Sequence, residues 1–455
     1  MKNKLTFLPM LWFGKVVATL IGWIAPSRGS AMSGTIVLRL MPGFLSRFTG
    51  IDPDKTIFIT GSNGKSTSNN LIVHAFRTAG RTVATNLEGA NMATGVATTL
   101  IKNSTMRGRL KAEYLILEVD ERYLAKIRRI IPARHICVTN LQKDQVQRNG
   151  DPGYVYAKVA AAMGSDVTAY VNNEEPRSAS LAHLAGRSVA YSVAPQDTGT
   201  ATVEDPFAVS MPCPLCWEAL DFDGYNLSNV GTFHCPGCGF GSSASPDYLL
   251  DGVDYDAQVF AVNGEQYHMA YGARHFLYNY VLCCAVATQF GIAAPDQAAA
   301  FQSFTNIGGR LEQFAHAGKS ILYVRIKQEN PETLQSAIDT IAADPHPKIL
   351  GIGLQVVHDM VPHYNNTAYT FDTTFKRLFA SGVDACLCFG TVNCYDIAKR
   401  LVYDGFPAEK IIVVDSDSPR QILDALAACG PEKAYMITWL GLYDSLRPYA
   451  DGRQK

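Results

Sequence analysis

The sequence has almost no excess of charge of either sign. Forty Lys and Arg residues stand against 41 Asp and Glu residues, a formal net charge of −1 over 455 residues. Such a chain has no overall positive field to attract DNA or RNA, which argues against nucleic acid as its main partner. It also lacks internal repeats of about 20–50 residues and long low-complexity tracts, so neither a solenoid nor a disordered tail is expected.

The cysteines do not form a disulfide framework. Of the eleven, four form a metal-like set and seven are scattered, several of them in apolar runs such as Cys283-Cys284. This distribution favours a reducing cytoplasm. With 47% hydrophobic residues, a chain of this length is expected to fold into roughly two or three domains with real cores.

The N-terminal segment leaves several interpretations open. Residues 5–25 are largely apolar and follow Lys2 and Lys4, as in a signal peptide, but Pro9, Lys15 and two glycines interrupt the run. The segment can be a helix packed on the domain, a helix that lies against a membrane face, or an inserted segment.

Two alternating patterns of apolar runs and helical stretches predict an α/β fold, with a central parallel sheet flanked by helices and a separate, smaller C-terminal α/β domain. The runs are 56–60, 114–119, 135–139 and 167–171, then 321–326, 349–354, 385–389, 411–414 and 434–437. A segment rich in Cys, Gly, Pro and Ser near 206–246 predicts an inserted module. Three domains are predicted. Residues 1–50 form an N-terminal apolar helix and lead-in, and residues 51–306 form the central domain, with the insertion at about 210–242. Residues 307–455 form the C-terminal domain.

The turn after the first apolar run has the features of a phosphate-binding loop. Glycines in the sequence T-G-S-N-G-K-S-T permit a tight turn that directs backbone N–H groups and a helix N-terminus at an anion, and the lysine can neutralise a phosphate. Ile59 stands where the common P-loop has its first glycine. The candidate nucleotide-binding residues are Gly61, Asn63, Gly64, Lys65, Ser66 and Thr67, of which Ser66 or Thr67 could hold Mg²⁺. The alternative is a chance Gly-Lys turn.

Polar residues follow the next strands of this pattern, at the sheet edge where ligands usually collect. Glu118, Asp120 and Glu121 end one run, and Glu118 is the first candidate to help hold Mg²⁺. The alternative is that these acids only face solvent. Residues 139–145, T-N-L-Q-K-D-Q, end the following run and are a weak signal alone.

The strongest metal signal is a pair of C-x-x-C knuckles separated by 18 residues. Four thiolates at this spacing suit one tetrahedral Zn²⁺, and a shell complete in protein ligands predicts a structural site. The ligands are Cys213, Cys216, Cys235 and Cys238. The alternatives are a disulfide pair or unligated thiols, and a ribbon of this kind can also contact nucleic acid or protein.

At the boundary with the last domain, Arg310 could reach the nucleotide phosphates and stabilise charge on a transferred phosphoryl group. Taken alone, a surface salt bridge with Glu312 is the simpler interpretation of this arginine.

Taken in order, these segments resemble the MurT-type members of the Mur ligase family over most of the chain. The motifs that carry the resemblance are the T-G-x-N-G-K-[ST] loop, residues 89–95, the strand end 118–121, Thr139-Asn140-Leu141 with Asp144-Gln145, the four-cysteine ribbon, Tyr278-Asn279 and Gly309-Arg310-x-Glu312. The resemblance implies a Mur ligase-like ATP-binding domain with an inserted zinc ribbon. By it, Lys65 and Ser66 bind phosphates and Mg²⁺, Glu118 assists the metal, and Asn279 contacts the nucleotide.

The resemblance also implies an activity and partners. Family members use ATP and Mg²⁺ to convert the D-glutamate carboxylate of the lipid II stem peptide into an amide, with ammonia from a separate GatD-type glutaminase. None of the eleven cysteines lies in a G-x-C-x-G elbow, which agrees with a glutaminase on another chain. We expect a cytoplasmic protein, with contact to the inner face of the membrane left open.

In the family, an acid of the C-terminal domain is thought to orient the histidine of the glutaminase. The family's N-D-x-x-x-D-G-x-D-x-S-W-x-W-D stretch aligns without gaps with residues 358–372, where only the acids at the two ends are preserved. Asp372 is the first candidate for the partner-facing acid and Asp359 the second. Two other hypotheses remain: a Mur or folylpolyglutamate-like amino-acid ligase, and a nucleotide-gated zinc-ribbon scaffold.

Overall fold

The structure is a computed structural model of the chain. It describes residues 2–24, 31–86, 90–144, 151–195, 211–227, 230–272, 274–305, 311–324, 330–354, 370–391 and 393–452. The chain forms two compact units. The first is built from 1–142 and most of 152–306, and the second from 307–455 together with the described residues Lys143, Asp144 and Asp151.

The first unit is organised around a nine-stranded sheet. Its strands lie in the spatial order β11-β10-β9-β6-β5-β4-β1-β3-β2, parallel from β2 to β9 and antiparallel from β9 to β11. They are β1 Thr56–Thr60, β2 Val83–Thr85, β3 Tyr114–Glu118, β4 His135–Val138, β5 Thr168–Asn172, β6 Arg187–Val193, β9 Tyr248–Asp254, β10 Val259–Val262 and β11 Glu265–His268. A two-stranded hairpin, β7 Asp221–Leu227 and β8 Val230–His234, is inserted between β6 and β9.

Helices cover the sheet. They are α1 Lys2–Ile24, α2 Met32–Leu40, α3 Lys65–Thr78, α4 Ala93–Asn103, α5 Leu124–Ile130, α6 Pro152–Ala160, α7 Pro176–Ser180, α8 Arg274–Gln289 and α9 Ala294–Ser303. Every residue of β1 and β3 is buried, as the uninterrupted apolar runs of a parallel sheet require. Leu115 and Leu117 of β3 join Val96 and Leu100 of α4 in one core cluster, and α3 packs on α8 and α9.

Helix α1 is part of this core. It packs on α2 and α4, and Phe7 forms a three-ring cluster with Phe44 and Phe48 at centroid distances of 5.1–5.4 Å. Among the described helices, one is long and apolar enough to cross a membrane by length and composition alone, the segment Thr6–Trp23 of α1. Its packing agrees with the interpretation of residues 5–25 as a helix packed on the domain.

The second unit has a six-stranded sheet in the order β12-β13-β17-β14-β15-β16, with β12 antiparallel at one edge and the others parallel. The strands are β12 Leu311–His316, β13 Lys319–Val324, β14 Lys348–Gly353, β15 Val383–Phe389, β16 Ile411–Val414 and β17 Lys433–Ile437. The helices are α10 Pro331–Ala342, α11 Lys376–Phe379, α12 Asn393–Tyr403, α13 Pro419–Ala427 and α14 Leu440–Ala450. The predicted α/β fold class is confirmed, and each predicted apolar run overlaps a strand whose ends differ from those of the run by at most two residues.

Candidate functional site

The loop between β1 and α3 is a compact anion cradle. Gly61 and Gly64 have φ of 132° and 80°, in the region that side chains other than glycine rarely adopt. A Cβ on Gly61 would lie 2.2 Å from the hydroxyl of Thr139, and one on Gly64 would lie 2.7 Å from Oδ1 of Asn279. Because α3 begins at Lys65, the N–H groups of its first turn lie at the loop, where a helix has the positive end of its dipole. The arrangement fits a phosphate group.

The loop lysine is buried and held by acceptors. The Nζ of Lys65 donates to the backbone oxygens of Gly61 and Ser62 and forms an ion pair with Oε2 of Glu121 at 3.0 Å. Both side chains are almost fully shielded from solvent, so their attraction is less screened than that of a surface pair. The positive charge of Lys65 is therefore held at one position beside the loop.

Ser66 and Glu118 meet directly. The hydroxyl of Ser66 donates to Oε2 of Glu118 at 2.7 Å, and Nδ2 of Asn91 donates to Oε1 of the same carboxylate at 3.1 Å. The side-chain amide of Asn86 exchanges two hydrogen bonds with the backbone of Glu118, at 2.8 and 2.9 Å. A hydroxyl and a carboxylate are the oxygen donors that Mg²⁺ prefers, so the donor set fits this ion.

Residues that follow β4 hold the loop between β1 and α3 in place by hydrogen bonds. Thr139 donates to the carbonyl of Asn63 at 2.6 Å, and the side-chain oxygen of Asn140 accepts the Asn63 N–H at 2.9 Å. The side-chain amide of Asn63 donates to Oε1 of Gln142 at 2.7 Å. The weak signal at residues 139–145 thus becomes a specific support for the cradle, with Gln145 outside the described residues.

Asn279 reaches the same loop from α8. Its Oδ1 accepts a hydrogen bond from Ser68 at 2.9 Å and lies against Gly64. Its Nδ2 donates to the carbonyl of His275 one turn earlier at 3.3 Å. The predicted residues Gly61, Asn63, Gly64, Lys65, Ser66, Glu118 and Asn279 are therefore brought together, and Thr67, also buried, follows Ser66 on α3.

The four cysteines of the two knuckles converge. All four Sγ atoms lie within 4.8 Å of one another, with Cys213 3.7 Å from Cys238 and Cys216 3.4 Å from Cys235. Four thiolates at a Zn–S distance of about 2.3 Å in a tetrahedron are separated by about 3.8 Å. The cluster therefore fits a Zn²⁺ ion with no coordination position left for water.

The two knuckles have the same backbone pattern. The N–H of Cys213 donates to the carbonyl of Glu218 at 2.7 Å, and the N–H of Cys235 donates to that of Phe240 at 2.7 Å. The fourth residue after each first cysteine, Trp217 or Gly239, has a positive φ of 72° or 74°. This repetition is typical of a ribbon built to present thiolates rather than of a chance cysteine cluster.

A buried carboxylate, Glu174, ties the ribbon hairpin to the central sheet. Its Oε2 accepts hydrogen bonds from the hydroxyl of Tyr278 at 2.5 Å and from the N–H of Val193 at 3.2 Å, and its Oε1 accepts from Nδ2 of Asn226 at 3.0 Å. Its backbone oxygen accepts the N–H of Gly231 at 2.9 Å. Burial raises the pKa of Glu174 to about 7, although the hydrogen bonds from Tyr278, Val193 and Asn226 act in the opposite direction.

In the second unit, Asp372 lies at the surface and pairs with Lys143, with 2.5 Å between Oδ2 and Nζ. Arg400, fully buried, holds the backbone on both sides of it by donating to the carbonyls of Thr370 at 3.0 Å and Thr373 at 2.6 Å. The first candidate acid is thus exposed on a fixed segment. The other two catalytic candidates, Arg310 and Asp359, lie outside the described residues.

Several residues that build the site were given no role from the sequence. They are Asn86, Asn91, Ser68, Glu121 as the partner of Lys65, and Glu174. Asn86 follows β2, a strand of only three residues, too short to give a periodic signal. Glu174 precedes a proline two residues later and, viewed alone, has the pattern of a solvated turn.

Comparison with known proteins places this geometry in a family. The family model described as Mur ligase middle domain matches residues 59–203, and the one described as MurT ligase C-terminal matches 328–440. Two relatives are described as lipid II isoglutaminyl synthase (glutamine-hydrolyzing) subunit MurT. The relative from Streptococcus pneumoniae is 27% identical over 90% of both chains, and that from Staphylococcus aureus strain COL is 23% identical over 80% of both.

Solved structures with the same fold are Mur-type ligases. A pseudomurein peptide ligase type C from Methanothermus fervidus has a TM-score of 0.67 at 15% identity, covering 94% of this chain and 86% of that one. A MurF ligase from Thermotoga maritima in complex with ADP has a TM-score of 0.58 at 13% identity, covering 93% and 85%. With both matching domains and relatives along most of its length, the chain belongs to the Mur ligase family, among its MurT-type members.

Proposed function

We propose that this protein is an ATP-dependent amide-forming ligase of peptidoglycan synthesis, which converts the D-glutamate carboxylate of the lipid II stem peptide into the amide of D-isoglutamine. The names of its MurT relatives support the reaction and the lipid-linked substrate. The observation that carries the proposal is the cradle, where the ammonium of Lys65 and the Ser66–Glu118 pair come together at one edge of the parallel sheet.

The reaction needs two steps because a carboxylate oxygen is a poor leaving group. A carboxylate oxygen of the substrate attacks the γ-phosphorus of ATP, the bond to the ADP oxygen breaks, and an acyl phosphate forms. The nitrogen of ammonia then bonds to the acyl carbon, phosphate leaves with the former carboxylate oxygen, and the nitrogen loses a proton. Phosphoryl transfer of this kind depends on positioning and on stabilisation of charge.

The residues of the cradle have separate roles in this scheme. The loop amides and Lys65 bind the β- and γ-phosphates, with Glu121 fixing the lysine. Ser66 and Glu118 would hold Mg²⁺, which when bound neutralises charge on the transferred phosphoryl group. Arg310 stays a candidate for a second positive charge. The four-cysteine cluster would hold Zn²⁺ in a structural role.

We further propose that ammonia comes from a GatD-type glutaminase on a separate chain. Cysteines outside the ribbon are buried, namely Cys137, Cys283, Cys284, Cys386, Cys388, Cys394 and Cys429. Burial raises the pKa of each of these thiols, the reverse of what a nucleophilic thiolate needs. Asp372, exposed on its fixed segment, is the candidate that completes the partner's Cys/His pair. The reaction would occur in the cytoplasm, where ATP is available.

The test is an amidation assay with the purified protein, a GatD-type glutaminase, lipid II, magnesium ATP and glutamine. Mass spectrometry should detect exchange of a hydroxyl for an amino group in the precursor, dependent on ATP and on the partner. Lys65→Ala should abolish the product, whereas Lys126→Ala, an exposed lysine on α5, should not.

Other outcomes would support one of the two alternative functions, the amino-acid ligase or the scaffold. Addition of an amino acid without any glutaminase would favour an amino-acid ligase. Biological function that survives Lys65→Ala would favour the zinc-ribbon scaffold over an ATP-dependent ligase. Absence of amidated precursor under conditions where the protein binds nucleotide and partner would contradict the proposal.

A further inference from the structure

Helix α1 has apolar residues on two opposite faces. The inner face, Phe7, Leu11, Gly14 and Ala18, is buried against the domain. A Cβ on Gly14 would lie 3.0 Å from Ile101, so the packing is close. The outer face is solvent-exposed although its side chains are large. It consists of Trp12, Phe13, Val16, Leu20 and Trp23, with exposed fractions of 45, 44, 57, 46 and 79%.

The outer face is one continuous stripe. Trp12, Val16, Leu20 and Trp23 follow the i, i+4, i+8, i+11 spacing that brings residues to the same side of a helix. The indole N–H of Trp12 donates to the carbonyl of Met106 at 2.9 Å, and the Met106 side chain is itself 57% exposed. A stripe of this kind differs from the scattered apolar residues of ordinary surfaces and marks an interaction site.

The two chain segments that meet at this stripe, those of α1 and Met106, are basic in sequence. Residues 1–51 contain six Lys or Arg and no Asp or Glu, and residues 102–111 contain four Lys or Arg and no acid. The four are Lys102, Arg107, Arg109 and Lys111, all exposed. The chain as a whole has a net charge of −1, so the basic character is local and not a property of the composition.

We propose that the outer face of α1 docks on the surface of an anionic phospholipid bilayer, with the helix parallel to the membrane. Exposed tryptophans and aliphatic side chains beside basic residues suit the boundary between acyl chains and anionic headgroups. This inference goes beyond the proposed function, and its test needs neither precursor nor nucleotide.

Two other arrangements fit the structure less well. A helix that crossed the bilayer would lose its inner packing and the two bonds that Lys15 Nζ donates to the carbonyls of Ile101 and Ser104. A symmetric contact with a second copy would bring two basic surfaces together, because both partners use the same patch. An anionic lipid surface satisfies both the apolar stripe and the charge.

The experiment is vesicle co-sedimentation of the full-length, zinc-loaded protein. Vesicles of phosphatidylcholine alone are compared with vesicles of equal parts phosphatidylcholine and phosphatidylglycerol, at about 0.1 M and 1 M salt, where the Debye length falls from about 10 to 3 Å. The double variant Leu20→Glu/Trp23→Glu removes the stripe. Leu184→Glu is the matched control, because Leu184 is an equally exposed leucine of the same unit at 45%.

We expect binding to the anionic vesicles that weakens at high salt, an at least tenfold loss in the double variant, and no change in Leu184→Glu. Circular dichroism and zinc content of the double variant should match those of the unmodified protein. Equal binding of the double variant, or no binding to either vesicle, would overturn the proposal. So would a dimer in sedimentation velocity that the double variant loses while vesicles do not bind. The double variant is also tested for amidation of a soluble muropeptide. If it loses vesicle binding but still amidates this substrate, the loss concerns membrane docking and not the proposed function.

Discussion

At the scale of single residues, the hydroxyls that follow the loop lysine are not equivalent. Ser66 donates to the carboxylate of Glu118 at 2.7 Å, whereas Thr67 is buried in the first turn of α3. The sequence left the choice of Mg²⁺ ligand open between these two residues. The contact with Glu118 favours Ser66.

Separate substitutions of Ser66 and Thr67 test which hydroxyl binds Mg²⁺. Ser66→Ala should lower the affinity for magnesium ATP by about 10–100-fold, the loss typical for groups that support a bound metal. Thr67→Val is the matched control, because it removes a hydroxyl but keeps the buried volume, and it should change affinity little. Isothermal titration calorimetry at several Mg²⁺ concentrations measures both. Equal losses in the two variants would contradict the assignment of Ser66.

Asp372 allows a prediction about ammonia supply. If this acid orients the histidine of a glutaminase partner, Asp372→Asn should reduce glutamine-dependent amidation by more than about 100-fold. Activity with an ammonium salt should stay unchanged, since the proposed role of the residue is in the glutaminase reaction of the partner. Asp424→Asn, an exposed acid of the same unit, is the control. Equal loss with glutamine and with ammonium would refute the assignment.

At the scale of elements, Glu174 ties the hairpin β7–β8 to the sheet. It accepts hydrogen bonds from Asn226 and Tyr278 and, through its backbone, from Gly231. Tyr278 precedes Asn279 on α8, and Asn279 contacts the phosphate loop. The anchor of the ribbon and the support of the nucleotide site are therefore neighbours on one helix.

Glu174→Ala should weaken the ribbon. It leaves the hydroxyl of Tyr278 and the amide of Asn226 without their shared buried acceptor, at a cost of about 1–3 kcal/mol for each such group. We expect faster release of zinc to a chelator and weaker nucleotide binding. Glu265→Ala, an exposed acid on β11, should match the unmodified protein in both. Unchanged zinc release in Glu174→Ala would show that the cysteine cluster holds the hairpin alone.

At the scale of the whole molecule, the sequence predicted the elements that have a clear hydrophobic pattern. It missed the strands that depend on pairing with a distant strand. The buried parallel strands β1 and β3 appear as continuous apolar runs, so their location followed from composition. The antiparallel strands β10 and β11 have a mixed pattern and gain their place by pairing with β9. Pairing partners are far apart in sequence, so a local pattern cannot report them.

The residues of the candidate site also divide into those that the sequence predicted and those that it missed. The glycines, lysine and cysteines of the cradle and ribbon were found because their chemistry requires a fixed spacing along the chain. Asn86, Asn91 and Glu174 were given no role because they act through contacts with residues 27 to 104 positions away. Spacing identifies groups that act together in one segment, whereas tertiary folding selects the groups that hold them.

Two titratable groups in the first unit, the buried Glu174 and the partly buried His135, should make its stability depend on pH in opposite directions. Burial raises the pKa of Glu174 to about 7, so its stabilising contribution is present below the unfolded value of about 4.5 and is lost as pH rises through 7. Burial lowers the pKa of His135 to about 4, so its contribution is present above about 6.5 and is lost as pH falls toward 4. Each shift corresponds to about 3 kcal/mol.

The two effects should oppose each other in the unmodified protein between about pH 7 and 4.5. Glu174→Gln removes the acidic group, so this variant should lose stability by about 3 kcal/mol as pH falls through that range. Unfolding by urea is followed by tryptophan fluorescence in a Trp439→Phe background, which leaves Trp12, Trp23 and Trp217, all in the first unit. Zinc occupancy must be the same in all samples, because bound metal shifts the apparent stability. A flat profile for Glu174→Gln would mean that the pKa of His135 is not lowered in the folded protein. An equal loss of stability in the unmodified protein would mean that Glu174 is ionised in the folded protein throughout this range.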